Sequence, residues 1–207
     1  MEPLTRLSGI AAPLPIDNVD TDAIVPSRET QSVSRTGYAE KLFANWRYKA
    51  GTRIVNPDFV LNNKPFDRAV FLVAGANFGC GSSREAAVWS LRQFGIRCVL
   101  AESYGAIFHN NCIRNSLLPV ALAKREVAEI LAHIEANPEA PVVSLDLAER
   151  TVSAGTSRFG FDINARDRDM LLSGEDEVEL TLRKAAMIED HIERDRIQRP
   201  WLYQARN

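Results

Sequence analysis

Little in this chain would serve a bound metal, a membrane or a polyanion. Only three of its 207 residues are cysteine: Cys80, Cys98 and Cys112. No two form a Cys-x-x-Cys pair, and His109, His133 and His191 stand far apart, so the spacings of an intrinsic metal site are missing. An odd number of thiols also argues against a disulfide framework. No apolar run approaches the ~20 residues that cross a bilayer. A net charge of −2 offers no basic excess for nucleic acid or an anionic membrane. The opening Met1-Glu-Pro-Leu-Thr-Arg-Leu7 lacks the basic-then-apolar order of a secretory leader, so the expected location is the cytoplasm. Three motifs of common chemistry are absent as well: Gly-Lys-Ser/Thr, Gly-x-Gly-x-x-Gly and the Gly-x-Ser-x-Gly elbow.

What is present is ordinary for a globular protein, with 45% hydrophobic and 25% charged residues. The length is enough to bury a real core, and the expected organisation is one domain over 1–207. A long irregular segment at 47–67, rich in Asn and Pro, interrupts it; a charged helical tail at 189–207 closes it. A first strand is expected over 7–16, an Asp-rich loop over 17–28 and a helix over 36–46. From residue 68 the pattern alternates: strand 68–74, helix 83–94, strand 96–101, helix 104–114, strand 117–122 and helix 124–136. Short strands at 142–147, 151–153 and 158–163 read as a meander, and helices at 165–172 and 175–194 follow. The expected class is α/β, a mostly parallel central sheet with crossover helices plus a short-strand meander. Cys98, within Ile96-Arg-Cys-Val-Leu100, is expected to be buried.

The most specific stretch is Gly75-Ala-Asn-Phe-Gly-Cys-Gly-Ser-Ser-Arg-Glu85, set between an apolar strand and a helix. Its glycines permit a tight turn and close approach to a ligand. Two hydroxyls and a guanidinium then arrive where a helix begins and where unpaired N–H groups favour an anion. Taken alone, Ser82 with Glu85 also satisfies a capping box, and Ser83 is a competent N-cap. The candidate site joins Ser82, Ser83 and Arg84 with Arg35 and Asp22. Two arginine forks suit a dicarboxylate. A Ser/His/Asp hydrolase is disfavoured, because no base neighbours the serines. A serine alkoxide acting as base would need a dry, cationic pocket, which points to a partner chain.

Asn77-Phe-Gly-Cys-Gly-Ser-Ser-Arg-Glu85 resembles the signature of the 3-isopropylmalate dehydratase small subunits of the aconitase superfamily. Asn18-Val-Asp-Thr-Asp-Ala-Ile24, Arg35-Thr-Gly37, Asn56-Pro-Asp-Phe-Val-Leu61 and Asn115-Ser-Leu-Leu-Pro-Val120 match it in family order, from about residue 5 to 185. The resemblance implies a swivelling β/β/α domain. It implies a hydro-lyase active only with a large subunit, which holds a [4Fe–4S] cluster, and a hydroxy-dicarboxylic acid substrate. This chain would bind no cofactor or metal itself. Carried over by motif, Ser82 would be the base, with Asp22 a catalytic-site carboxylate of less defined role. Ser83, Arg84 and Arg35 would bind substrate carboxylate. One departure is Ala86, where members commonly carry histidine. Related acids such as maleate, citraconate or homoaconitate remain open, as does a non-catalytic anion-binding domain.

Overall fold

The computed structural model describes residues 2–31 and 34–203. Seven strands form one sheet: β1 (Arg6–Leu14), β2 (Phe71–Ala74), β3 (Cys98–Ala101), β4 (Leu118–Ala121), β5 (Val142–Asp146), β6 (Thr151–Ala154) and β7 (Ser157–Gly160). Eight α-helices accompany them among the described residues: α1 (Thr21–Ile24), α2 (Ala44–Arg47), α3 (Glu85–Phe94), α4 (Ala106–Arg114), α5 (Lys124–Ala136), α6 (Ala165–Ser173), α7 (Glu177–Leu182) and α8 (Ala185–Gln198). The strand order is β4-β3-β2-β1-β5-β6-β7.

β1 divides the sheet into two styles. Its last residues, Ala11 to Leu14, pair in parallel with β2; its first, Arg6 to Ile10, pair antiparallel with β5. Pro13 has no N–H to give, and it falls where the β5 ladder has already ended. β2 and β3 are buried on both faces, as their unbroken apolar runs Phe-Leu-Val-Ala and Cys-Val-Leu-Ala require. β4 is the edge strand of the parallel half and accordingly tolerates Pro119. In the meander the burial alternates, and Val143, Leu145, Val152, Ala154 and Phe159 face the core. The parallel half and the meander are as expected from the sequence, in one continuous sheet. α5 turns Val127, Ile130 and Ile134 inward.

Three expectations need correction, the first being that the run at 175–194 is not one helix but α7 and α8, separated by a turn at Arg183 and Lys184. Residues 36–46 do not make one helix. A 3₁₀ turn, Ala39–Lys41, and the single turn α2 are separated by Phe43, whose left-handed φ of 48° breaks the helix. Phe43 is fully buried against Trp46 and Phe59, with ring centroids 5.3 and 5.7 Å away, and that aromatic packing outweighs local helix preference. The helix at 83–94 begins two residues later, at Glu85.

The chain divides into two compact units, Met1–Gly174 and Glu175–Asn207. The first holds the sheet. In the second, α7 starts with a full capping box: Asp176 Oδ1 accepts from Glu179 N at 2.8 Å, and Glu179 Oε2 accepts from Asp176 N at 2.7 Å. The tail from 189 to 199 is mostly exposed, except that Asp195 is buried and accepts from Arg199 Nε at 2.6 Å and Tyr203 OH at 2.8 Å.

Candidate active site

β1, β2 and β3 run in parallel, so their carboxyl ends lie side by side, where open α/β sheets hold ligands. The loops leaving β1 and β2 are laced together there. Asn18 N donates to Ala76 O at 2.8 Å, Gly79 N to Val19 O at 2.7 Å, and Thr21 N to Cys80 O at 2.9 Å. Side chains extend the lacing. Ala76 N donates to Asp17 Oδ1 at 2.7 Å, and Asn77 Nδ2 donates to Asn18 Oδ1 at 2.8 Å. The β3 loop joins through Ser103, whose Oγ accepts from Asn77 N at 2.8 Å. Gly79 has a φ of +72°, and a Cβ there would lie 2.7 Å from Phe108 Cβ and closer still to its ring. The sequence needs glycine at that position twice over, for the dihedral and for the space.

This frame presents the candidate residues. Thr21 Oγ1 donates to Ser82 O at 2.9 Å and so holds the backbone of the serine pair. Ser82 and Ser83 are both exposed, and neither hydroxyl has a hydrogen-bond partner among the described residues. Capping does not consume them. Arg84 occupies the N-cap position with extended dihedrals and no side-chain cap bond. Glu85 points its carboxylate at Asn115, accepting from Nδ2 at 2.9 Å, rather than back at Ser82. The capping box and the Ser83 cap are therefore both overturned by the later helix start. The hydroxyls remain available for chemistry.

Asp22 and Arg84, 62 residues apart in sequence, form an ion pair through Oδ1 and Nη1. Arg84 Nη1 also donates to Val25 O at 3.3 Å. Asp22 Oδ1 additionally accepts from Ser27 N at 3.0 Å and Ser27 Oγ at 3.1 Å. The Arg84 hydrogen bond leads in holding the Asp22 carboxyl below its usual range, with Ser27 helping and desolvation opposing. Nε and Nη2 of Arg84 have no partner among the described residues, so one edge of the fork stays open to a second anion.

Arg35 is placed differently. Its guanidinium lies over the Trp89 ring, 5.0 Å from the centroid, and its carbonyl accepts from Gln93 Nε2 at 2.5 Å. No hydrogen bond or ion pair among the described residues joins it to Ser82, Ser83, Arg84 or Asp22. It reaches the site's neighbourhood through α3, the helix that those residues lead into. Sequence reading missed Thr21, Ser27 and the α3 stripe Trp89 and Gln93. Only the i, i+4, i+8 spacing from Glu85 signals that stripe.

No group of three His, Cys, Asp or Glu side chains among the described residues is arranged to hold a metal ion. Burial drives the Cys98 and Cys112 thiols well above their ordinary range, which suits core packing rather than ligation. No hydrogen bond among the described residues joins a histidine to either serine; His109 instead lies edge-on to Tyr104 at 6.0 Å. No helix among the described residues is long and apolar enough to cross a membrane.

Comparison with known proteins bears on this geometry. Residues 1–125 match the aconitase C-terminal domain. Over 98% of its length the chain is 51% identical to the 3-isopropylmalate dehydratase small subunit of Cupriavidus necator, covering 99% of that protein. This chain belongs to the family of 3-isopropylmalate dehydratase small subunits. The counterpart from Neisseria gonorrhoeae is 42% identical with the same coverage, and that of Dinoroseobacter shibae is 43% identical over 98% of this chain and all of its own. Among solved structures, a 3-isopropylmalate dehydratase from Methanocaldococcus jannaschii superposes with a TM-score of 0.63. It is 26% identical and spans 89% of this chain and 99% of its own. The family membership and the aconitase-type α/β fold expected from the sequence are thereby established.

Ala86, where the family resemblance led one to expect histidine, is buried in the core cluster with Tyr38, Leu42 and Val88. A small apolar residue fits that buried position by packing.

Proposed function

We propose that this chain is the small subunit of a 3-isopropylmalate dehydratase, a hydro-lyase that works with a large subunit. It interconverts 2- and 3-isopropylmalate by loss and return of water, a step of leucine biosynthesis. Near-full-length identity to named small subunits supports the assignment. The observation that carries the site is the pairing of Asp22 with Arg84 beside two exposed, uncapped serine hydroxyls.

In this mechanism Ser82 is the base and Arg84, Ser83 and Arg35 bind substrate carboxylates. Asp22 engages only Nη1 of Arg84, so it orients the fork and leaves Nε and Nη2 for the acid. Ser82 Oγ, as alkoxide, takes the proton from the carbon next to a carboxylate. The electron pair of that C–H bond becomes the new double bond, and the neighbouring C–O bond breaks with its electron pair to release hydroxide, which becomes water by taking a proton from a general acid that we assign to the large subunit. On rehydration Ser82 returns its proton to carbon. An exposed serine is a weak base in water, and the Arg84 charge is offset by the Asp22 carboxylate. The large subunit must close over the loop, exclude water and complete the cationic field. Among the described residues no three His, Cys, Asp or Glu side chains are grouped to hold a metal ion, and we assign a [4Fe–4S] cluster to the large subunit, where it would serve as Lewis acid toward the departing hydroxyl.

The test is to purify the chain alone and with a large subunit under anaerobic, iron-replete conditions, then assay isopropylmalate beside maleate, citraconate and homoaconitate. Turnover of isopropylmalate by the complex and none by the isolated chain is the expected result. Full activity from the isolated chain would refute the division of labour. Preference for another acid would move the substrate assignment.

A further inference from the structure

Glu85, Trp89 and Gln93 lie on one side of α3, and a single amide ties two of them together. Asn115, at the carboxyl end of α4, donates from Nδ2 to Glu85 Oε1 at 2.9 Å and accepts at Oδ1 from Trp89 Nε1 at 3.1 Å. The other Nδ2 hydrogen goes to Asn111 O at 2.9 Å. An indole N–H only donates and a carboxylate accepts, so one orientation of this amide serves both neighbours. The ring is thus fixed at its N–H edge.

The face of that ring carries Arg35, with the guanidinium carbon 5.0 Å from the centroid. Tyr38 meets the same ring edge-on at 5.5 Å. Gln93 fastens the backbone of the segment: it donates to Arg35 O at 2.5 Å and accepts from Tyr38 N at 2.8 Å. No carboxylate among the described residues pairs with Arg35, so the ring is what holds its charged end. A guanidinium resting on a ring face keeps its N–H edge free to meet a carboxylate.

Resting on the assignment of Arg35 to a substrate carboxylate, we infer that Asn115 is a positioning residue for that cation. It sets the Trp89 ring, and the ring sets the guanidinium. Asn115 opens one of the motifs on which the family resemblance rests, and the mechanism above gives that motif no task. Removing the amide frees the indole to turn, so Arg35 loses its fixed pose while Ser82 and Arg84, held by Thr21 and Asp22, keep theirs.

The test is a kinetic cycle on the reconstituted complex with isopropylmalate. Asn115→Ala should raise KM about tenfold, within the range of coupled neighbours, and leave kcat nearly unchanged. Asn115→Asp is close in size and keeps the acceptor for the indole while losing the donor to Glu85, so its KM should stay within about threefold of wild type; Trp89→Phe, which removes the N–H itself, should raise KM as the alanine variant does and serves if that variant does not fold. Trp89→Phe keeps a ring face without the N–H, and in that background Asn115→Ala should add little. In an Arg35→Ala background it should likewise add little. Effects that multiply in both backgrounds, or a loss confined to kcat, would overturn the inference. A wild-type complex inert toward isopropylmalate would strike the substrate assignment instead, and the cycle would then be run on the acid the substrate panel identifies.

Discussion

Replacing Gly79 by alanine tests whether the active loop is shaped by the two constraints seen at that residue. The first is the backbone, since a left-handed φ of +72° costs an L-residue ~1–2 kcal/mol. The second is space. The new methyl would overlap Phe108, which is 2% exposed and packed edge-on to Phe78 at 5.4 Å. Neither ring has room to retreat, and such overpacking costs a further ~1–3 kcal/mol. Together these predict a loss of about 2–5 kcal/mol, or a melting temperature lower by roughly 5–15 °C for a chain of this size. Gly51 supplies the control. Its φ is +70°, yet nothing lies within 4 Å of the place its methyl would take, so Gly51→Ala carries only the backbone cost, roughly 3–6 °C. Melts of the two purified variants, followed by circular dichroism, compare them directly. Equal shifts would show that Phe108 does not constrain the loop, and the account of why glycine stands there would fail.

Other consequences follow from the same residues. Asp22 has its folded-state pKa depressed, so its contribution is complete above the ordinary 3.8 and is lost as pH falls through the lower folded value. Asp22→Asn should cost no more than ~1 kcal/mol near neutrality, because the side chain is 49% exposed and the pair is screened. Urea midpoints of the variant and wild type should converge below the ordinary carboxylate range; a gap that persists there would contradict the pairing. Cys80 is partly exposed while Cys98 and Cys112 are buried, so a maleimide should modify one thiol quickly and the other two only on unfolding. Mass spectrometry counts the adducts, and rapid double modification would sink that assignment. Ala86→His puts a ring into a filled core and should destabilise by ~1–3 kcal/mol without raising activity; a stabilised or faster variant would show the site to be roomier than described.

The alternating strand–helix pattern was legible because β2 and β3 are apolar throughout and α5 shows a clear helical face. The loop chemistry was legible too: the glycines, hydroxyls and arginine stand together in sequence as they do in space. What escaped was long-range. Nothing near Phe43 announces that its packing with Trp46 and Phe59 would break a helix. The capping box at Ser82 failed because Glu85 found a stronger partner in Asn115, thirty positions on. Asp22 was placed at the site by resemblance, but its bond to Arg84 closes a span of 62 residues that no local pattern encodes. Trp89 and Gln93 read as ordinary helix residues until the segment at Arg35 folds against them.

The most direct trial of the account is Ser82→Ala in the reconstituted, iron-loaded complex. Loss of the proton-accepting oxygen should lower kcat by about 10²–10⁴-fold while KM changes little, since the carboxylate-binding groups are untouched. A variant that turns isopropylmalate over at close to the wild-type rate would remove Ser82 from the chemistry and contradict the central claim.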